Sequence, residues 1–144
     1  MSSPDAGGLS DMTTITAGLT QIVNVMVPVK DQDAAIDFYV NKLGLTKRVD
    51  IPFGDGERWI EVGPEGGPGI ALCTERGDTW IAGRQTGISL SAPDATAAHA
   101  ALRDAGVDVD EQVMTMDGPP PDMFWLRDVD GNELLVVEVP ADAF

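Results

Sequence analysis

The chain of 144 residues is 43% apolar and 23% charged, which is ordinary for one globular domain. Its 24 acidic and 9 basic residues give a net charge of -15, which argues against nucleic acid because phosphate binding needs clustered lysines and arginines. The sequence has no apolar run long enough to span a membrane, no signal-peptide pattern and a single cysteine, Cys73, so we expect a cytoplasmic protein.

The first half of the chain predicts a βαβββ unit. A nearly continuous β-branched run over residues 21–29 predicts a strand, with Asn24 and Met26 on one face. Asp31 then provides a helix N-cap, and apolar residues at i, i+3, i+4 and i+7 predict an amphipathic helix that ends near Gly44. Three further strands are predicted over residues 45–51, 58–62 and 69–74.

The second half repeats this order of elements. Residues 87–92 predict a strand, Asp94 a helix cap, and Gly106 the end of a helix with the same apolar spacing. Three more strands are predicted over residues 107–113, 123–126 and 133–139. A tandem repeat of one unit is the simplest account of this pattern.

These elements predict an α+β fold in which two tandem βαβββ units form a curved mixed sheet around a cleft. The predicted boundaries are a disordered tail at 1–18, a single domain at 19–144, unit one at about 20–75, a linker at 76–85 and unit two at 86–139. The linker is long enough for the units to pair within one chain or across a homodimer.

The repeat and its motifs resemble the vicinal oxygen chelate superfamily, which includes glyoxalase I, extradiol dioxygenases, fosfomycin-resistance enzymes and bleomycin-binding proteins. The resemblance covers about residues 20–139. Its local pieces are 24–31 leading to Phe38-Tyr39, then Leu43-Gly44-Leu45, Arg58-Trp59-Ile60 and the turn Asp128-Val129-Asp130-Gly131-Asn132.

In metal-dependent members, the resemblance implies a divalent ion held by side chains on the first and last strands of each unit. Three of these positions fall on Asn24, Gly87 and Leu135 in this chain. An asparagine is a weak oxygen ligand, and glycine and leucine offer no side-chain donor. The fourth position lies near Ala71 or Cys73. We therefore expect no metal cofactor at this site.

Three other residues are candidates to replace the missing ligands. Glu61 and Glu133 lie in predicted strands, and either is a candidate for an unusual metal ligand or a displaced carboxylate in the cavity. His99 is the only histidine and lies on the second predicted helix, where we expect it to pack or to contact solvent.

Seven residues are predicted to line a ligand-binding cavity, and two interpretations of them remain open. They are Asn24, Met26, Trp59, Glu61, Met123, Trp125 and Leu135. An apolar cavity with aromatic side chains suits a small, flat or hydrophobic molecule, but buried tryptophan and methionine are also common in an ordinary core. Arg58 is a candidate anchor for a ligand carboxylate, but we expect it to form an ion pair with a neighbouring glutamate.

The resemblance and the missing donors together predict metal-independent binding of a small, largely hydrophobic organic molecule by a homodimer, with no catalytic residues assigned. One alternative is a metal-dependent lyase, isomerase or dioxygenase of the glyoxalase type with non-standard ligands. The other is a structural subunit whose cavity is filled by its own side chains. No nucleic acid or membrane partner is expected.

Overall fold

The computed structural model describes residues 16–143. The predicted tail at 1–18 lies mostly outside this range, and residues 16–18 belong to no helix or strand. The strands are β1 (Asn24–Val29), β2 (Thr46–Phe53), β3 (Glu57–Gly63), β4 (Gly69–Thr74), β5 (Gln85–Ala92), β6 (Asp108–Val109), β7 (Met123–Arg127) and β8 (Glu133–Glu138). The helices are α1 (Gln32–Ile36), its continuation as a π-helix (Asp37–Lys42), and α2 (Ala95–Asp104).

The strands form two four-stranded mixed sheets in the orders β1-β4-β3-β2 and β5-β8-β7-β6. In each sheet the first strand of a unit pairs in parallel with the last strand of the same unit. Between residues 16 and 143, no strand of one sheet pairs with a strand of the other. The structure confirms the α+β class and the two βαβββ units, and it shows that the units form two sheets.

The first helix begins and ends where the sequence predicts. Asp31 accepts a hydrogen bond from the backbone N–H of Ala34 (3.1 Å), and Gly44 adopts a φ of +79°, which favours glycine. The π-helical continuation of this helix has wider turns, in which each N–H bonds to the carbonyl five residues earlier. The N–H of Leu43, for example, donates to the carbonyl of Phe38 (3.1 Å). None of the helices in the described part of the chain combines the length and apolar character needed to cross a membrane.

Strand β6 is shorter than the predicted strand at residues 107–113. At Asp110 the backbone N–H still donates to the carbonyl of Trp125 (3.0 Å), but the side chain replaces the backbone carbonyl as the acceptor. Its carboxylate accepts hydrogen bonds from the N–H of Trp125 (3.1 Å) and from Arg127 (2.7 Å). The carbonyl of Asp110 lies 2.6 Å from Nε2 of His99, whose ring packs edge-on against Phe124. His99 is therefore buried between α2 and the second sheet, so it packs against the core and is largely shielded from solvent.

The helix-facing sides of both sheets contribute to one apolar core. From the first unit the fully buried side chains include Val27, Val29, Tyr39, Ile60, Val62 and Leu72. From the second unit they include Phe124, Leu126 and Leu134. The two units thus meet on the sides of their sheets that carry the helices.

The turn before β8 fastens the units together through Asn132, which is fully buried. Its side-chain Nδ2 donates to the carbonyl of Pro28 in β1 (2.9 Å), and its Oδ1 accepts from the N–H groups of Gly83 and Arg84 (2.9 and 3.2 Å). Every polar atom of the side chain is satisfied, as burial requires. The turn motif seen in the sequence is thus a junction between both units and the segment that connects them.

Candidate functional site

We call the side of each sheet that faces away from the helices its open face. In the first sheet, Met26 and Glu61 both lie beside Ala71 in the strand register, so they share a face. Asn24 and Trp59 lie two residues away on their strands and take the same side. Four of the seven predicted ligand-binding residues therefore lie together on the open face of the first sheet.

Glu61 is the polar centre of this face. Its Oε2 accepts hydrogen bonds from Nδ2 of Asn24 (3.3 Å) and from Nε1 of Trp59 (3.0 Å). Only 8% of the residue is exposed. In the part of the chain that the structure describes, no lysine or arginine forms an ion pair with it. A buried carboxylate with only neutral donors has unused capacity to accept a hydrogen bond.

Gly69 makes this arrangement possible. It lies between Asn24 and Glu61 on β4, and a Cβ atom there would lie 3.0 Å from Oε1 of Glu61 and 3.2 Å from the carbonyl oxygen of Val62. Without a side chain at this position, the carboxylate of Glu61 extends across β4 to reach Asn24. Arg48 also approaches Gly69, but it donates to the carbonyl of Gly67 (2.9 Å).

The rest of this open face is apolar and exposed. Met26, Ile51 and Phe53 are 48%, 54% and 52% exposed, and the Phe53 ring lies 6.2 Å from that of Trp59 in a tilted arrangement. Ile51 and Phe53 were not among the predicted site residues, although the alternation of Val49, Ile51 and Phe53 in the sequence is the signal that places them there. Grouped exposed apolar side chains mark surfaces that bind something.

A cavity of about 170 Å³ opens beside Trp59. Its lining includes Met26, Phe53, Arg58, Trp59, Cys73 and Arg76. Burial raises the pKa of the Cys73 thiol. A neutral thiol is a poor nucleophile, so Cys73 is poorly suited to covalent chemistry in this cavity.

Arg58 is held by two aspartates, and the predicted glutamate partner is wrong. Its Nε and Nη2 donate to the two carboxylate oxygens of Asp50 (3.0 and 2.8 Å), and its Nη1 donates to Asp33 (2.8 Å). The hydrogen bonds from Arg58, with a further one from Lys47, hold the pKa of Asp50 well below its usual range. This cluster of one arginine and two aspartates joins β2, β3 and α1. The sequence alone does not show that these three side chains meet.

The other three predicted residues lie on the open face of the second sheet. Trp125 pairs with Leu135 in the register of β7 and β8, and Met123 pairs with Val137. Glu133 shares this face, and its carboxylate lies 3.5 Å from Nε of Arg127, at the adjoining ends of β7 and β8.

The residues present do not fit the metal centre that the resemblance implies. Asn24 already donates through its amide to Glu61, and Leu135 has no donor atom. Gly87 has a φ of +75° at an irregularity in β5, a backbone conformation that would strain a histidine. Within residues 16–143, no three histidine, cysteine or acidic side chains lie close enough together to hold an ion. The acidic candidates Glu61 and Glu133 lie on different sheets.

Comparison with known proteins agrees with this architecture. The sequence pattern of the Glyoxalase/Bleomycin resistance protein/Dioxygenase superfamily matches residues 21–136. The chain belongs to this superfamily. Over 56 residues it is 43% identical to YurT of Bacillus subtilis (strain 168), a match that covers 38% of this chain and 43% of YurT.

Two solved structures are similar to this chain over most of their length. A member from Sphaerobacter thermophilus DSM 20745 is 29% identical with a TM-score of 0.71, over 83% of this chain and 97% of that one. TnmS3, an antibiotic binding protein from Streptomyces sp. CB03234, is 31% identical with a TM-score of 0.71, over 83% of this chain and 96% of TnmS3.

Proposed function

We propose that this superfamily member binds a small, largely hydrophobic organic molecule without a metal ion, and that the ligand contacts the open faces of its sheets. The observation that supports this best is the exposed apolar surface of Met26, Ile51 and Phe53 around the Glu61 cluster. The similarity to the antibiotic binding protein TnmS3 supports the same function. The proposed location is the cytoplasm, where the single thiol of Cys73 stays reduced.

The first open face offers two kinds of contact to such a ligand. Trp59 and Phe53 provide apolar and aromatic surface, on which a ring gains burial and stacking energy. Oε1 of Glu61 accepts no hydrogen bond from the described residues, so an N–H or O–H group of the ligand would find an acceptor there. A few polar groups within an apolar lining fix the orientation of a ligand.

The complete site in this proposal is formed by two copies of the chain. Within one chain the units meet on their helix-facing sides, and the predicted ligand-binding residues divide between two separate sheets. Pairing of the first open face of one copy with the second open face of another would cover Met26, Ile51 and Phe53 and enclose a cleft. A twofold dimer makes this contact twice.

Ligand binding is tested by tryptophan fluorescence and thermal shift with a panel of polycyclic aromatic molecules, with and without amine or hydroxyl groups. We expect a subset to quench the emission and to raise the melting temperature. Trp59→Leu should weaken the binding of these molecules about two- to tenfold, which corresponds to the loss of one stacking contact. The matched control is Trp80→Leu, because Trp80 is partly buried but lies in the connecting segment against Arg84. Equal loss in both variants, or no response to any compound, would contradict the proposal.

Dimer formation is tested by sedimentation velocity. We expect the wild-type chain to sediment as a dimer and Ile51→Asp to sediment as a monomer, because a charge would be buried in the contact between open faces. Ile81→Asp is the control, since Ile81 is 47% exposed and Ile51 54% exposed, but Ile81 lies outside both sheets. A monomeric wild-type protein would refute the site formed by two copies. The fluorescence titration would then test whether a single open face binds the ligand.

A further inference from the structure

A second and larger cavity lies on the other side of the sheets, between the two units. It has a volume of about 380 Å³, within the range of about 300–1,000 Å³ that is usual for ligand pockets. Leu43 and Leu45 from the first unit form one wall, and Leu126 and Val136 from the second sheet form another. Leu102 contributes from α2. The cavity shares none of these residues with the open faces.

Small side chains on α2 create this space. The apolar positions of the first helix include Ile36 and Tyr39, and the matching positions of the repeat on α2 are Ala98 and Ala101. Tyr39 is fully buried against the core, whereas Ala101 lines the cavity. The second helix therefore carries a small side chain at the position where the first helix carries an aromatic ring, and this leaves room beside Ala101.

One cation lies at the mouth of this cavity. Among the described residues that line it, Lys42 is the one with a charge, and its Nζ donates to the carbonyl of Ala105 at the end of α2 (2.7 Å). An ammonium group has three N–H donors, so two remain for another acceptor. Because Lys42 is held by α2, it is positioned over the cavity that Ala101 and Leu102 line.

We propose that this cavity binds an apolar molecule with a carboxylate head, the hydrocarbon part lying between α2 and the second sheet and the carboxylate contacting Lys42. The apolar lining excludes a charged body, and the cation at the mouth selects a negative head over a positive one. This site is independent of ligand binding at the open faces, since it lies on the helix-facing side of the second sheet.

The test uses isothermal titration calorimetry with decanoate, decanol and decylammonium, below the concentrations at which they form micelles. The net charge of -15 opposes anions at long range, so the buffer contains about 0.15 M salt, where the Debye length is about 8 Å. We expect decanoate to bind roughly fivefold more tightly than decanol, as one partly exposed charge contact provides, and decylammonium to bind more weakly than either.

Two variants locate the site. Lys42→Met should remove the preference for decanoate over decanol and leave decanol binding unchanged. Ala101→Phe should fill the cavity and weaken all three compounds at least tenfold, whereas Ala100→Phe should not. Both alanines are exposed, but Ala100 lies about 100° around α2 from Ala101 and does not line the cavity.

Decylammonium binding as tightly as decanoate would refute the role of Lys42. Equal affinities in Ala101→Phe and Ala100→Phe would refute the cavity as the site. If Ala101→Phe does not fold, the Lys42→Met comparison still decides the proposal, because Lys42 is exposed and its substitution leaves the core intact. None of these outcomes depends on Trp59 or on dimer formation, so this proposal and the proposed function fail separately.

Discussion

The phenol of Tyr39 donates a 2.7 Å hydrogen bond to Oδ2 of Asp128, which joins the first helix to the turn before β8. Both residues are buried. Burial raises the pKa of Tyr39 far above its usual value, and the negative charge of Asp128 raises it further. The carboxylate also accepts hydrogen bonds from the N–H groups of Asp130 and Asn132 (both 2.9 Å), so the phenol contacts a well-ordered acceptor.

This relationship predicts how stability depends on alkaline pH. Since the pKa of Tyr39 is higher in the folded than in the unfolded state, its contribution to stability is present below the unfolded value, about 10, and is lost as the pH rises above it. Tyr39 is the only tyrosine, so the increase in absorbance near 295 nm that accompanies phenol ionisation comes from it, above the constant absorbance of the three tryptophans. We expect phenolate to appear only together with loss of circular dichroism. A titration near pH 10 in the folded protein would contradict this.

The hydrogen bond itself is tested with Tyr39→Phe. We expect the free energy of unfolding to fall by about 1.5–3 kcal/mol, as for other hydrogen bonds to a charged acceptor. Urea denaturation of Tyr39→Phe, Asp128→Asn and the double variant gives the coupling between the two groups. Additive effects of the two single changes would show that the hydrogen bond contributes nothing.

The Glu61 cluster predicts that Gly69 does not tolerate a side chain. In Gly69→Ala the new methyl group would lie 3.2 Å from the carbonyl oxygen of Val62, which is backbone, and 3.0 Å from Oε1 of Glu61. We expect a loss of about 1–3 kcal/mol in urea denaturation and a shift in the emission of Trp59. Gly66→Ala is the control, because no atom of the described residues lies within 4 Å of its added Cβ, and it should change stability by less than about 0.5 kcal/mol. Equal effects of both changes would be evidence against the close contact.

The arrangement of donors predicts that Leu135→Glu does not create a metal site. Asn24 and Gly87 remain poor ligands in this variant, and a single carboxylate does not complete a coordination shell. We expect neither wild type nor variant to bind Zn²⁺, Ni²⁺ or Mn²⁺ with micromolar affinity in calorimetry. Tight stoichiometric binding by the variant alone would show that other ligands converge on Leu135.

The sequence by itself determined much of the local structure, because caps and periodicity act over a few residues. Asp31 and Gly44 define the ends of the first helix, and strict alternation places Asn24 and Met26 on the same side of β1. Alternation also places Trp125 and Leu135 on one face of the second sheet. Such patterns specify the face of an element to which a side chain belongs.

Only the tertiary structure decided which side chains meet. Glu61 reaches Asn24 across Gly69 because β4 lies between β1 and β3, and Tyr39 meets Asp128 across 89 positions of sequence. The cavity between the units likewise depends on how the second helix packs. These contacts join residues whose separation along the chain carries no periodic signal, so the strand order and the packing of the two units determine them, and no local pattern in the sequence predicts them.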